Sequence, residues 1–233
     1  MRFNHTSTSN WENAFRGLRH PLESYKRSDS EFGICNIKEL QDKDLIINFD
    51  FECVEFAHLG KKDIDLAQRM IKAGTPNDKF LRQIFVSVDI TAPLYWWKEM
   101  DTYKVGTTAN STSTMHKLAN TPITLDCFET DDLNEWIELN NQPLNYGFEQ
   151  IIKYCEDLRK KYLETKDVRY WKELIRWLPE GWLQTRTWTA NYAILRNIIH
   201  WRTNHKLTEW HQFIDWCKAL PYSEELLFFN NVN

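Results

Sequence analysis

Long apolar runs are missing from this chain. No stretch of about 18 apolar residues occurs, which excludes a membrane-spanning helix of the usual kind. The amino terminus, Met1-Arg2-Phe3-Asn4-His5-Thr6-Ser7, lacks the apolar core of a signal peptide, so a cytoplasmic location is expected. Cysteine is sparse: Cys35, Cys53, Cys127, Cys155 and Cys217 make an odd number without any Cys-x-x-Cys. That pattern argues against a disulfide framework or a zinc knuckle and for buried free thiols. Common catalytic signatures are absent too, with no Gly-x-Ser-x-Gly, no Walker loop, no Gly-x-Gly-x-x-Gly and no His-Glu-x-x-His. His200, His205 and His211 are spaced by five and six residues, which is wrong for two ligands on one helical face, so no metal is expected. A large excess of positive charge is also lacking. With 29 Lys and Arg against 33 Asp and Glu the net charge is −4, so neither nucleic acid nor a membrane surface is an expected partner. A nucleotide-sized ligand would need only a local cluster of Arg.

What is present fits one globular domain over residues 1–233, with 42% hydrophobic and 27% charged residues and no internal repeat. Tryptophan is abundant, with 11 in all, and seven fall late: Trp171, Trp177, Trp182, Trp188, Trp201, Trp210 and Trp216. Such crowding suits a packed core, the commoner case, or an oligomer seam.

Along the chain, residues 1–33 read as mostly irregular. Within them Pro21 to Ser28 alternates hydroxyl and basic groups that could wrap a phosphate, although a solvated loop is the more frequent meaning. Leu45 to Phe51 alternates as a half-buried strand. Asp63 is expected to cap a helix with Ile64, Leu66, Ala67, Met70 and Ile71 on its apolar side and Gly74 as its left-handed stop. Phe80 to Ile90 alternates again with Ile84, Val86, Val88 and Ile90 inward, and Pro93 then opens a helix from its first turn. Residues 106–114 are small and hydroxyl-rich, a composition usual in loops that also lets backbone amides approach an anion. From Asp132 the pattern is helical: Asp132-Leu133-Asn134-Glu135 resembles a capping box, and Phe148 to Tyr162 and Val168 to Leu178 are helices. Strands early and helices late predict an α+β architecture.

The most informative stretch is Arg176 to Trp210. After Leu178-Pro179 it runs through Thr185-Arg186 into an expected helix carrying Asn191, Leu195, Asn197, Arg202 and His205. Asn191 and Arg202, eleven residues apart, would share a face about 16 Å long with Leu195 and Ile198 between them. An amide at one end, a guanidinium at the other and hydrocarbon between suit a long, flat, partly anionic ligand. The plainer alternative is a helix whose Asn and Arg reach solvent or cap neighbours.

This order resembles the carboxy-terminal signature of the flavin-dependent thymidylate synthases (the ThyX family): Arg, Leu-Pro, Thr-Arg, then Asn followed at four, six and eleven residues by Leu, Asn and Arg. Met70 to Pro76, Phe85 to Val88 and Ala92-Pro93 resemble the family's helix, glycine stop, strand and Ala-Pro helix start. The resemblance covers roughly residues 63–116 and 174–213. The family's Arg-His-Arg, seven-residue gap and Ser is altered here to Thr102-Tyr103-Lys104-Val105, then Gly106 to Asn110 and Ser111-Thr112-Ser113. The family's His-rich segment before the strand has become Thr75 to Arg82. These changes weaken the flavin side more than the nucleotide side.

The resemblance implies a central antiparallel or mixed sheet packed with helices, a helical carboxy-terminal half and a homotetramer. It implies reductive methylation of dUMP to dTMP, with methylene-tetrahydrofolate as carbon donor, NADPH as reductant and reduced FAD delivering hydride. By the same resemblance Arg202 is the catalytic residue at the uracil carbonyl. Arg176 would hold the nucleotide and Ser111 or Ser113 would lie near its phosphate. Lys104, Asn191 and Asn197 would meet the cofactors. Two other readings stand beside it: a homologue of this fold that binds a pyrimidine nucleotide but has lost flavin and methyl transfer, and an oligomeric interaction protein built on the Trp-rich helices.

Overall fold

Residues 1–33 are not irregular: they hold a strand, β1 (Arg2–Ser9), and a helix, α1 (Trp11–Arg19). Trp11, Ala14, Phe15 and Leu18 recur at the i, i+3, i+4, i+7 spacing, and all four are buried, so a helical stripe was present in a stretch that reads as polar loop. The start of α1 is capped from outside. Glu55 accepts the backbone N–H groups of Asn10 (2.7 Å) and Trp11 (2.8 Å), placing a carboxylate at the positive end of the helix.

The computed structural model describes residues 1–36, 53–131, 138–139 and 142–230. The strand expected over Leu45 to Phe51 and the capping box at Asp132 to Glu135 lie outside the described residues. Strands β2 (Glu31–Asn36) and β3 (Cys53–His58) pair antiparallel, from Glu31 opposite His58 to Asn36 opposite Cys53. Helix α2 (Lys61–Ala73) follows. Asp63 does not cap it. Asp29 does, accepting the N–H groups of Lys62 (3.0 Å) and Asp63 (3.2 Å). The Asp63 carboxylate is instead buried against Arg19 Nε (2.5 Å), with the Ser28 and Ser30 hydroxyls donating to it at 2.6 Å each. Gly74 ends α2 at φ +69° as expected for glycine, but its ψ of −172° is extended rather than left-handed helical.

The alternation read from Phe80 starts later. Asn77–Gln83 is a 3-10 segment, and β4 (Phe85–Pro93) carries the buried Val86, Val88 and Ile90. Pro93 closes that strand at the N-cap position of α3 (Leu94–Met100), outside its first turn. The first amides of α3 are satisfied by the carbonyls of Trp182 and Glu180, both at 3.1 Å. Next come β5 (Thr108–Ser111), the short α4 (Thr114–Lys117), the two-residue strands β6 (Glu138–Leu139) and β7 (Gln142–Pro143), α5 (Leu144–Thr165) and α6 (Val168–Trp177). The two long helices match the sequence expectation.

The chain departs from the expected helix again after Pro179. Residues Leu183–Asn191 form a strand, β8, before the helix α7 (Tyr192–Arg202) and the last helix α8 (Thr208–Lys218). The alternation is visible once sought: Gln184, Trp188 and Ala190 are buried while Thr185, Thr187 and Thr189 are not. β-branched residues on one face of a half-buried strand are what a pleated ribbon favours. The four-stranded sheet has the order β1-β4-β8-β5, and the fold is α+β with an antiparallel sheet, as expected.

The residues group into two compact units. One comprises Met1–Arg2, Thr91–Thr102 and Asn110–Arg186, and its apolar cluster includes Leu118, Ile123, Phe128, Ile152, Cys155, Leu174 and Trp182. The other comprises Phe3–Ile90, Tyr103–Ala109 and Thr187–Asn233. Its core is aromatic: Trp11 lies 5.3 Å from Tyr192 and 5.7 Å from Tyr222, and Trp210 lies 5.9 Å from Phe213. Each fully buried ring of this size is worth roughly 1.5–3 kcal/mol. The late tryptophans therefore divide: Trp182, Trp188 and Trp210 are core, whereas Trp177 and Trp201 are exposed.

Candidate functional site

Arg202 is the last residue of α7, where a cation complements the carbonyl end of the helix. Its Nε–H donates to the phenol oxygen of Tyr103 at 2.9 Å. Its guanidinium carbon lies 4.6 Å from the centroid of the fully buried Trp210 ring and 5.5 Å from that of Tyr103. The two rings stand 6.2 Å apart at 69°, so the guanidinium occupies a corner between them, within cation–π range of both. His205, beyond the end of α7 rather than on it, packs 6.1 Å from Trp210, accepts the Leu207 N–H at Nδ1 and bonds its carbonyl to His211.

Asn191 sits at the other end of α7 as its N-cap. Its Oδ1 accepts the Ile194 N–H at 3.1 Å. That amide oxygen is therefore spent on the helix. The apolar residues between Asn191 and Arg202 do not make an open face either: Leu195 and Ile198 are both 0% exposed. The expected continuous ligand face is a core face: Asn191 at one end is itself buried, and Arg202 at the other is only partly exposed. Asn197 is exposed on α7, and Lys104 is exposed in the loop after Tyr103. Gly106 closes that loop at φ +75°, where a Cβ would stand 2.9 Å from Ile194 Cδ1 and 3.4 Å from Asn191 Nδ2. Only glycine meets both demands, the positive φ and the close approach to α7.

In the other unit, Arg176 is exposed on the last turn of α6 and pairs with Glu173 at 2.9 Å, which holds the Glu173 carboxyl below its usual range. Ser111 is exposed at the end of β5 and Ser113 is half-buried. Between them Thr112 is tied to β8: its N–H and hydroxyl both donate to the Thr185 carbonyl, and its own carbonyl accepts Gln184 Nε2 at 2.8 Å.

Gln184 also leads to a residue the sequence reading left without a role. Its Oε1 accepts Arg186 Nε at 2.9 Å, Asp101 accepts Arg186 Nη1 at 2.8 Å, and the Arg186 guanidinium lies 4.2 Å over the Trp97 ring. Tyr103 and Trp210 thus fix Arg202, Gly106 seats the loop that carries Tyr103 against α7, and the sequence alone assigns none of these three a role at the site. Gly106 carried a signal, one of only seven glycines in a loop beside Lys104. Tyr103 carried none, because its partner is 99 residues away.

Cysteine chemistry has little support among the described residues. Burial pushes the Cys155 thiol up to about 11 and raises Cys217 well above its ordinary value, so both stay neutral thiols. Among the described residues no group of three His, Cys, Asp or Glu side chains could hold a metal, and no helix is long and apolar enough to cross a membrane.

No protein-family model and no curated protein matches this chain. Solved structures do. The flavin-dependent thymidylate synthase ThyX from Helicobacter pylori, complexed with FAD and dUMP, superposes with a TM-score of 0.64 at 16% identity, covering 100% of both chains. A second structure of that enzyme with FAD and dUMP gives 0.64 at 17% identity over 99% of each. The UMP/dUMP methylase PolB from Streptomyces cacaoi, bound with 5-Br UMP, gives 0.54 at 12% identity over 89% of this chain and 97% of that one. The chain therefore has the fold of the flavin-dependent thymidylate synthases.

Proposed function

We propose that this protein is an enzyme that binds a pyrimidine nucleotide of the dUMP class and methylates its uracil ring, in the manner of a flavin-dependent thymidylate synthase. The observation that carries this reading is Arg202, held by Tyr103 and Trp210 at the end of a helix, in a fold whose solved examples bind dUMP or a uridylate analogue. A guanidinium stays charged at any working pH and can fork onto a carbonyl. Fixed beforehand, it would stabilise negative charge as it develops on the ring without having to reorganise. Arg176 and the Ser111–Ser113 stretch, which belong to the other unit, are proposed to bind phosphate. The Thr112 bonds to β8 support that role, because they hold the neighbouring hydroxyls in place. A homotetramer is part of the proposal, and the exposed Trp177 and Trp201 are consistent with an assembly seam.

The flavin is a harder fit. Of the three residues proposed for it, Asn191 spends its oxygen on the helix cap, Asn197 is a lone exposed amide, and Lys104 is the one cation. A diphosphate-bearing dinucleotide is poorly matched by that set. This favours a second reading, in which the nucleotide site persists and flavin binding and methyl transfer have been lost. The two separate in one assay. Purified protein with dUMP, methylene-tetrahydrofolate, NADPH and FAD should form dTMP, followed by chromatography. Binding of dUMP without any dTMP would select the second reading.

A further inference from the structure

The phenol of Tyr103 does more than touch Arg202. Its oxygen accepts the Arg202 Nε–H at 2.9 Å, and among the described residues its own O–H donates to no protein acceptor. Tyr103 is half-buried, so the O–H is not fully given over to solvent. Its ring is held edge-to-face 6.2 Å from Trp210, and its carbonyl accepts the Thr107 hydroxyl at 2.6 Å, which ties the ring to a turn closed by Gly106. A hydroxyl that accepts a bond from a cation becomes a stronger donor, because each bond polarises the next. The Nε bond also stops the guanidinium from swinging about its stem.

We infer that Tyr103 and Arg202 act as one donor unit: the phenol oxygen fixes the guanidinium by taking its Nε–H, and the phenol O–H donates to an oxygen of the bound ligand, a carbonyl of the pyrimidine base. This inference rests on the nucleotide reading given above. The ligand class follows from the geometry of the unit, a neutral O–H donor beside a flat cation, which matches a polarisable carbonyl flanked by a planar ring. Aliphatic phosphate alone would make no use of the second donor's orientation or of the surrounding aromatic walls.

The test uses the intact protein and Tyr103→Phe, which keeps the ring and removes both the acceptor and the O–H. Titrated with dUMP, the Phe variant should bind about ten-fold more weakly, the upper end of what losing one neutral hydrogen bond costs. The penalty should disappear when Arg202→Ala is already present, since the two act together. Inorganic phosphate, used as a second probe, should bind both proteins equally. In the ligand-free parent, nitrogen-15 NMR should show the Arg202 Nε–H exchanging slowly with solvent, a readout that needs no variant to fold. If Tyr103→Phe binds dUMP within two-fold of the parent while Arg202→Ala does not bind it, the donor unit is wrong and the nucleotide site stands. If Arg202→Ala binds dUMP like the parent, the nucleotide reading and this inference fall together. Fast exchange of the Nε–H in the parent would also overturn it.

Discussion

Replacing Gly106 with alanine should damage stability and ligand binding together. The backbone at Gly106 has φ +75°, where an L side chain costs about 1–2 kcal/mol. The added methyl would stand 2.9 Å from Ile194 Cδ1, inside contact distance, and 3.4 Å from Asn191 Nδ2. Ile194 is the end of a flexible side chain and can retreat by a few tenths of an ångström, so the steric part should be smaller, about 0.5–1 kcal/mol. A total of about 2 kcal/mol is expected. Gly74 supplies the control: it also has a positive φ, +69°, but a Cβ there meets nothing within 4 Å. Both alanine variants should lower the urea midpoint. Only Gly106→Ala should weaken dUMP binding, because only there does relief of the contact move the loop that carries Tyr103. Equal dUMP affinity in all three proteins, with Gly106→Ala as stable as the parent, would refute the claim that this loop is seated on α7.

Elsewhere, Asp63→Ala leaves the 4%-exposed Arg19 buried without its carboxylate and should cost about 3–5 kcal/mol in urea denaturation, whereas replacing both residues by well-packed apolar ones should cost far less. Asp29 has its carboxyl lowered chiefly by the Lys62 N–H it accepts. A lowered folded value means the contribution is present above the unfolded value and is lost as pH falls through the folded one, so stability should drop in the acid range below the ordinary carboxylate value. Asp29→Asn should flatten that limb of the urea-midpoint profile. After incubation with excess FAD and desalting, the second reading predicts a colourless protein, and a retained flavin band in the visible spectrum would remove that reading.

The fold was legible where one short-range pattern ruled. The helices over 144–165 and 168–177 and the inward set Val86, Val88 and Ile90 follow from periodicity alone. α1 was obscured because its four apolar residues are embedded among polar and basic ones, and the stripe has meaning only with Phe80, Tyr192 and Tyr222 packed on it. β8 is hidden in the sequence because Thr185, Thr187 and Thr189 read as polar, although their branching is what a strand prefers. At the site, Arg202 could be named from its spacing to Asn191, but the face between them could not be judged: burial of Leu195 and Ile198 depends on what packs there. Tyr103 lay in a segment defined by what it had lost, and only the folded chain places its phenol on Arg202.

The most direct test of the account is calorimetric titration of dUMP into the parent and Arg202→Ala. Saturable binding by the parent is predicted, weakened by ten-fold or more in the variant at an unchanged unfolding midpoint, as expected when a charged hydrogen-bond donor is removed from a carbonyl. A parent that does not bind dUMP, or a variant that binds it equally well, would contradict the assignment of Arg202 to a pyrimidine-nucleotide site.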